Sequence, residues 1–210
     1  RSTWSFLAHS LTIPHLKSPL YGSEIIFPSG AKSEHAYERL ISPKHLEERC
    51  YSYRPTPRGW RSRHLLFRSG MAFMTSFLQN VRPHFFKDSR ERVSLDFFGG
   101  YYETERLFNL FSSPQLSAQR HPNQGKFLKA VEENESQIVF FEPVSYDWEM
   151  EALNLDKFLK VMERRNSLPS MIVVDTTIIG DNFPMEFFLS RLPGDPPPVL
   201  VQFSSGLKLD

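Results

Sequence analysis

The chain has 210 residues, 40% of them hydrophobic and 19 of them Phe, which bounds it to one domain of ordinary size or part of a larger one, with material for a substantial core. A formal charge of +1 argues neither for nor against a polyanionic partner, and the single cysteine, Cys50, excludes an intramolecular disulfide and suits a reducing compartment. No apolar run is long enough to span a bilayer and the N-terminus has no signal-peptide pattern, so a cytoplasmic protein without a membrane partner is expected.

From Arg1 to Glu48 short apolar groups alternate with Pro, Ser and Gly, and neither a period of 2 nor one of 3.6 is sustained. This reads as an extended arm with one helix, Ser33 to Ile41. Its histidines, His9, His15, His35 and His45, are too irregularly spaced to propose a metal site. Tyr51 to Arg68 is basic, with Arg54, Arg58, Arg61, Arg63 and Arg68 interleaved with Tyr and Trp. Such interleaving is what a single-stranded nucleic-acid site needs, but the stretch is short, and nucleic acid is not the expected partner.

From His64 the chain alternates between two patterns. Apolar strand-like runs are His64 to Phe67, Arg92 to Phe97, Gln137 to Phe141, Met171 to Val174 and Val199 to Phe203. Between them, Met74, Phe77, Leu78 and Val81 recur at i, i+3, i+4 and i+7, and Leu155, Phe158, Leu159 and Met162 repeat the spacing with Asn154 as a cap. Glu105 to Phe111, Gly125 to Glu133 and Pro184 to Leu192 are shorter helices. The alternation predicts an α/β fold, a mostly parallel sheet with helices on both faces, over 61–210, preceded by an N-terminal arm and interface segment over 1–60. In such a sheet ligands sit outside the carboxyl ends of the strands, where Ser69, Asp175 and the turn from Ser204 to Lys208 are expected.

Three of these groups have a chemistry in common. Phe67 to Met74 reads as a strand turning into a helix at Ser69-Gly70, where Ser69 caps and the amides of Gly70 and Met71 point at an anion. Met171 to Asp175 is a buried strand ending in a carboxylate that needs a partner. Val199 to Phe203 is a buried strand delivering Lys208. An ordinary helix cap is the alternative for Ser69 and for Asp175, and a solvated surface group is the alternative for Lys208. Together, an amine for a Schiff base, a carboxylate for a ring nitrogen and a helix start for a phosphate are the parts that hold pyridoxal 5'-phosphate.

The segments S-G-M-A (Ser69 to Ala72), F-G-G-Y (Phe98 to Tyr101), F-E-P (Phe141 to Pro143), V-D-T-T (Val174 to Thr177) and S-G-L-K (Ser205 to Lys208) stand in the order found in fold-type I pyridoxal-phosphate enzymes. The chain most resembles the Cys/Met-metabolism group, the cystathionine synthases and lyases and methionine γ-lyase, over roughly Cys50 to Asp210. The resemblance implies that Lys208 carries the cofactor and removes the Cα proton of an amino-acid substrate, and that Asp175 keeps the pyridine nitrogen protonated. It also implies that Ser69, Gly70, Met71, Ser204 and Ser205 form the phosphate cup, with Leu207 in place of the family's Thr. Phe98 matches the family's stacking tyrosine; Tyr101 or Tyr102 would supply the phenol that Phe98 lacks. Tyr146 is the candidate for the group touching the ring hydroxyl. Y-S-Y-R-P-T-P resembles the element that reaches a partner subunit's cofactor, so Arg54, with Tyr51 or Tyr53, would bind phosphate across a homo-oligomer interface.

By the same resemblance the expected activity is elimination or replacement at an amino-acid side chain. An aminotransferase, or a non-catalytic subunit or binding module with a degenerate cofactor site, are the alternatives. More sheet and a C-terminal domain follow the lysine in such enzymes, so 61–210 is expected to be part of a cofactor-binding domain that works as a homo-oligomer or with a complementing C-terminal polypeptide. No metal site is expected.

Overall fold

A computed structural model describes residues 56–67, 69–86 and 92–205. The chain divides into two compact units, residues 1–68 and 69–210. Of the first, 56–67 is irregular. Trp60 N–H closes a turn onto the Pro57 carbonyl at 3.1 Å beside Gly59, whose φ of 86° favours glycine, and the Thr56 and Ser62 hydroxyls are hydrogen-bonded. Arg58, Arg61 and Arg63 are exposed there. His64 to Phe67, read above as a strand, is irregular: it forms no β-ladder among the described residues, and Ser69-Gly70 opens its helix without a strand at 64–67.

The second unit runs α1 (Gly70–Phe85), β1 (Val93–Phe98), α2 (Tyr102–Phe111), β2 (Leu116–His121), α3 (Gln124–Glu133), β3 (Ile138–Phe141), α4 (Leu155–Arg164), β4 (Met171–Asp175), α5 (Met185–Arg191) and β5 (Val199–Phe203), with a 3₁₀ turn at Gly180–Asn182. The five strands form an all-parallel sheet in the order β2-β1-β3-β4-β5. The fold is therefore α/β.

Alternation along the strands assigns the helices to faces. Phe97 pairs with Phe140, Phe140 with Val173 and Val173 with Val201, so these share one face; Phe98, Phe141, Val174 and Gln202 share the other. On the first face Phe97 and Phe140 both meet Phe108 of α2, with ring centroids 4.6 and 5.4 Å apart. Phe73 of α1 meets Phe203 at 4.6 Å on that same face. On the second, Phe98 packs on Phe127 of α3 at 5.7 Å, and Phe141 on Phe158 of α4 at 5.1 Å and Phe188 of α5 at 6.0 Å. Helices cover both faces, which is why β3 and β4 can be continuous apolar runs.

The helix starts follow from their caps. Asn123 Oδ1 accepts from Lys126 N and Asn154 Oδ1 from Lys157 N, each at 2.9 Å, supplying acceptors that the first turn lacks. β5 lies at one end of the sheet, half-buried rather than buried as expected, with Val199 exposed. Among the described residues no helix is long and apolar enough to cross a membrane.

One polar cluster sits inside the core. Asp96 of β1, 3% exposed, lies 2.7 Å from His121 Nε2, accepts Asn134 Nδ2 at 3.1 and 3.3 Å and takes the Ser136 hydroxyl. Burial alone would raise its carboxyl; the bonds from His121, Ser136 and Asn134 hold it below its ordinary value.

Candidate functional site

In the order β2-β1-β3-β4-β5 the chain leaves β1 toward one edge and returns on its other side, so the connections that follow β1 and β3 run in opposite directions from a switch point. A cleft opens beside that point, lined by Tyr101 after β1, Glu142, Val144 and Tyr146 after β3, and Asp175, Thr177 and Ile178 at and after β4.

Glu142 builds the cleft's floor. The carboxylate, 4% exposed, accepts Tyr146 N at 2.8 Å, Gly100 N at 2.9 Å and Tyr101 N at 3.2 Å, so one side chain clasps the exits of two strands. The glycines of F-G-G-Y exist for this closeness. A Cβ on Gly99 would stand 2.6 Å from Glu142 Cδ, and one on Gly100 2.5 Å from Asp147 Cβ and 2.7 Å from Asp147 N. Burial pushes the Glu142 carboxyl above its ordinary range despite the three N–H bonds, and the Asp175 carboxylate adds repulsion.

The walls are aromatic and acidic. Tyr101 meets Tyr146 edge to face, centroids 5.5 Å apart at 68°. Asp175, half-buried at the end of β4, accepts Thr177 N–H at 2.9 Å. Thr177 in turn accepts Ser205 N–H on its Oγ1 at 3.0 Å, tying the end of β5 to the cleft. Ser205 approaches the start of α1 so closely that a Cβ on Gly70 would lie 3.1 Å from Ser205 Cβ. At that helix start Ser69 Oγ accepts Ala72 N–H at 3.1 Å, the expected cap.

Ser69, Gly70, Ser205, Thr177 and Asp175 thus form one continuous edge; Met71 belongs to the same helix start and Ser204 to the same strand exit. Tyr101 and Tyr146 join them through the cleft. Two expectations are corrected. Phe98 does not present its ring to the cleft: as the last residue of β1 it points to the face opposite Glu142 and Asp175, 1% exposed against Phe127. Tyr102, 65% exposed, is not among the cleft residues; one position along a helix turns a side chain by about 100°, and Tyr101 takes the inward place. Tyr51, Tyr53, Arg54 and Lys208, and the helix expected at Ser33 to Ile41, lie outside the described residues.

The sequence reading missed Glu142 and Thr177 as site residues, although both stand in quoted motifs. The one signal for Thr177 was a second hydroxyl directly after a strand-end carboxylate. Among the described residues no cluster of three or more His, Cys, Asp or Glu is arranged to hold a metal ion.

Fold and cleft together define an α/β protein with a small cleft beside the switch point of a parallel sheet. No protein-family model matches the chain, and no curated protein matches it.

Proposed function

We propose that this chain binds pyridoxal 5'-phosphate at the carboxyl edge of its sheet and acts on amino acids as a lyase or transferase. The observation that carries the reading is that Ser69-Gly70, Ser205, Thr177 and Asp175, from the starts or ends of three separate elements, meet along one edge beside an aromatic cleft. The donor set suits the group. With Ala72 N–H taken by the Ser69 cap, Gly70 and Met71 are the amides that the start of α1 offers to a phosphate, and the Ser204 and Ser205 hydroxyls stand at the strand exit that faces it.

Asp175 provides the negative charge that keeps a pyridine nitrogen protonated, and Tyr101 offers the ring face that Phe98 does not. Lys208 stands three residues beyond Ser205, so chain length alone keeps it within about 10 Å of the cup. Bound there, the cofactor would supply the electron sink for charge developed at an amino acid's Cα. Lys208 would then remove the Cα proton, and the floor made by Glu142 would keep water from the inner side.

Near-visible absorbance after equilibrium dialysis against the cofactor tests the reading. The wild-type chain should retain an absorbing species, and Asp175→Asn should retain it about tenfold less tightly, a change of roughly one pK unit in the pairing it loses. Equal retention in both proteins would remove Asp175 from the site.

A further inference from the structure

The tight exit from β1 has a consequence one turn further on. Tyr101 occupies the position just before α2, yet its side chain makes no capping bond. Its hydroxyl instead donates to Glu103 Oε2, and the Tyr102 hydroxyl donates to the other oxygen, Oε1, at 3.2 Å. Both oxygens of one carboxylate therefore take phenol protons. Glu103 lies in the first turn of α2, where the helix dipole favours an anion, and the Tyr101 ring is braced edge to face by Tyr102 at 5.4 Å and by Tyr146 at 5.5 Å.

We propose that Glu103 is a positioning residue that holds the proton of Tyr101 and takes it over when Tyr101 accepts a proton from the ammonium group of an amino-acid substrate. The inference rests on the cofactor reading above for its substrate, and on the Tyr101 and Glu103 geometry for its mechanism. As the substrate N–H bond breaks, a new O–H bond forms on Tyr101 Oη; the original Tyr101 O–H bond breaks and its proton passes to Glu103 Oε2. The amine keeps its electron pair and becomes neutral, the phenol is regenerated, and Glu103 ends protonated.

The relay avoids an anion that the site resists. Burial, then the hydrogen bond and the charge of Glu103, hold the Tyr101 phenol well above its ordinary range, with Tyr102 and Tyr146 adding to the effect. The other titratable groups facing it are Glu142, which takes its backbone N–H, and Asp175 on the opposite wall of the cleft. A carboxylate reached through the phenol accepts the proton without a populated phenolate.

Carbon-13 tyrosine NMR on the full chain reads the pair directly, with Tyr101 assigned by the signal lost in Tyr101→Phe and with Tyr102→Phe as background. In Glu103→Gln the Tyr101 titration midpoint should fall by about one pH unit, and Glu103→Asp, whose carboxylate sits one methylene short, should give a smaller fall in the same direction. In the cofactor-loaded protein the pH at which an added amino acid changes the near-visible spectrum should rise by about one unit in Glu103→Gln, as in Tyr101→Phe. A Tyr101 midpoint that stays put in both Glu103 variants overturns the proposal even if cofactor absorbance is intact. Absent absorbance with a shifted midpoint instead removes the cofactor reading and the relay's substrate, leaving only the Tyr101 and Glu103 pair.

Discussion

Asp96 and Glu142 lie on opposite faces of the same sheet with nearly the same exposure, 3% and 4%, and their carboxyls are displaced in opposite directions. Asp96 is met by side chains: the His121 ring, the Asn134 amide and the Ser136 hydroxyl converge on it beside the end of α3. Among the described residues Glu142 is met by main-chain N–H groups, and it faces a second carboxylate, Asp175, across the cleft. Burial raises both; what surrounds each decides the net direction. The first is locked into the core, whereas burial and a second carboxylate hold the proton on the other more tightly, beside the candidate site.

Removing the locked carboxylate should have the largest effect. Asp96→Ala leaves His121, Asn134 and Ser136 without their common acceptor in the core, and should cost about 3 kcal/mol in urea unfolding. A cost under about 1 kcal/mol would show that these donors find other partners.

At the other carboxylate the test is a coupling. Gly99→Ala forces a methyl group onto Glu142 and should cost about 2 kcal/mol. In a Glu142→Ala background the same change should cost much less, because the clashing carboxyl is gone. Additive costs would mean that the strand exits are not held by Glu142.

Much of this architecture was legible. Four of the five strands were expected within a residue or so, because runs such as Ile138 to Phe141 and Met171 to Val174 are buried on both faces and read as continuous apolar stretches. α1 and α4 announced themselves by periodicity, and Asn154 caps as its position implied. β2 was missed because L-S-A-Q-R-H belongs to an edge strand buried only at its ends. His64 to Phe67 carries the same apolar signal as a strand but joins no β-ladder among the described residues, and ladder pairing leaves no local pattern.

The arrangement of the candidate site was legible in part for a similar reason. Ser69, Gly70, Asp175 and Ser205 could be named from strand ends and a helix start, yet Phe97 and Phe98 look alike until register decides which face each takes. Glu142 was invisible as a clasp because two of its partners are backbone N–H groups 42 and 41 residues earlier, and a main-chain donor leaves no mark on residue type.

The smallest expected effect sharpens the comparison by pH. Asp96, held low, stabilises the fold above the ordinary carboxylate range and loses that contribution as pH falls through its lowered value. Glu142, held high, contributes fully below that range and loses its contribution as pH rises through its raised one. Asp96→Asn should therefore flatten the loss of stability as pH falls below the ordinary carboxylate range, while Glu142→Gln should gain on wild type as pH rises above it. Parallel profiles for the two variants would erase the contrast.

The central claim is that the edge built by Ser69, Gly70, Thr177, Asp175 and Ser205 serves a cofactor carried by Lys208, and borohydride reduction of the cofactor-treated chain followed by peptide mass spectrometry tests it most directly. The account predicts a single phosphopyridoxyl adduct on Lys208, absent in Lys208→Ala; an adduct on another lysine, or none, would contradict it.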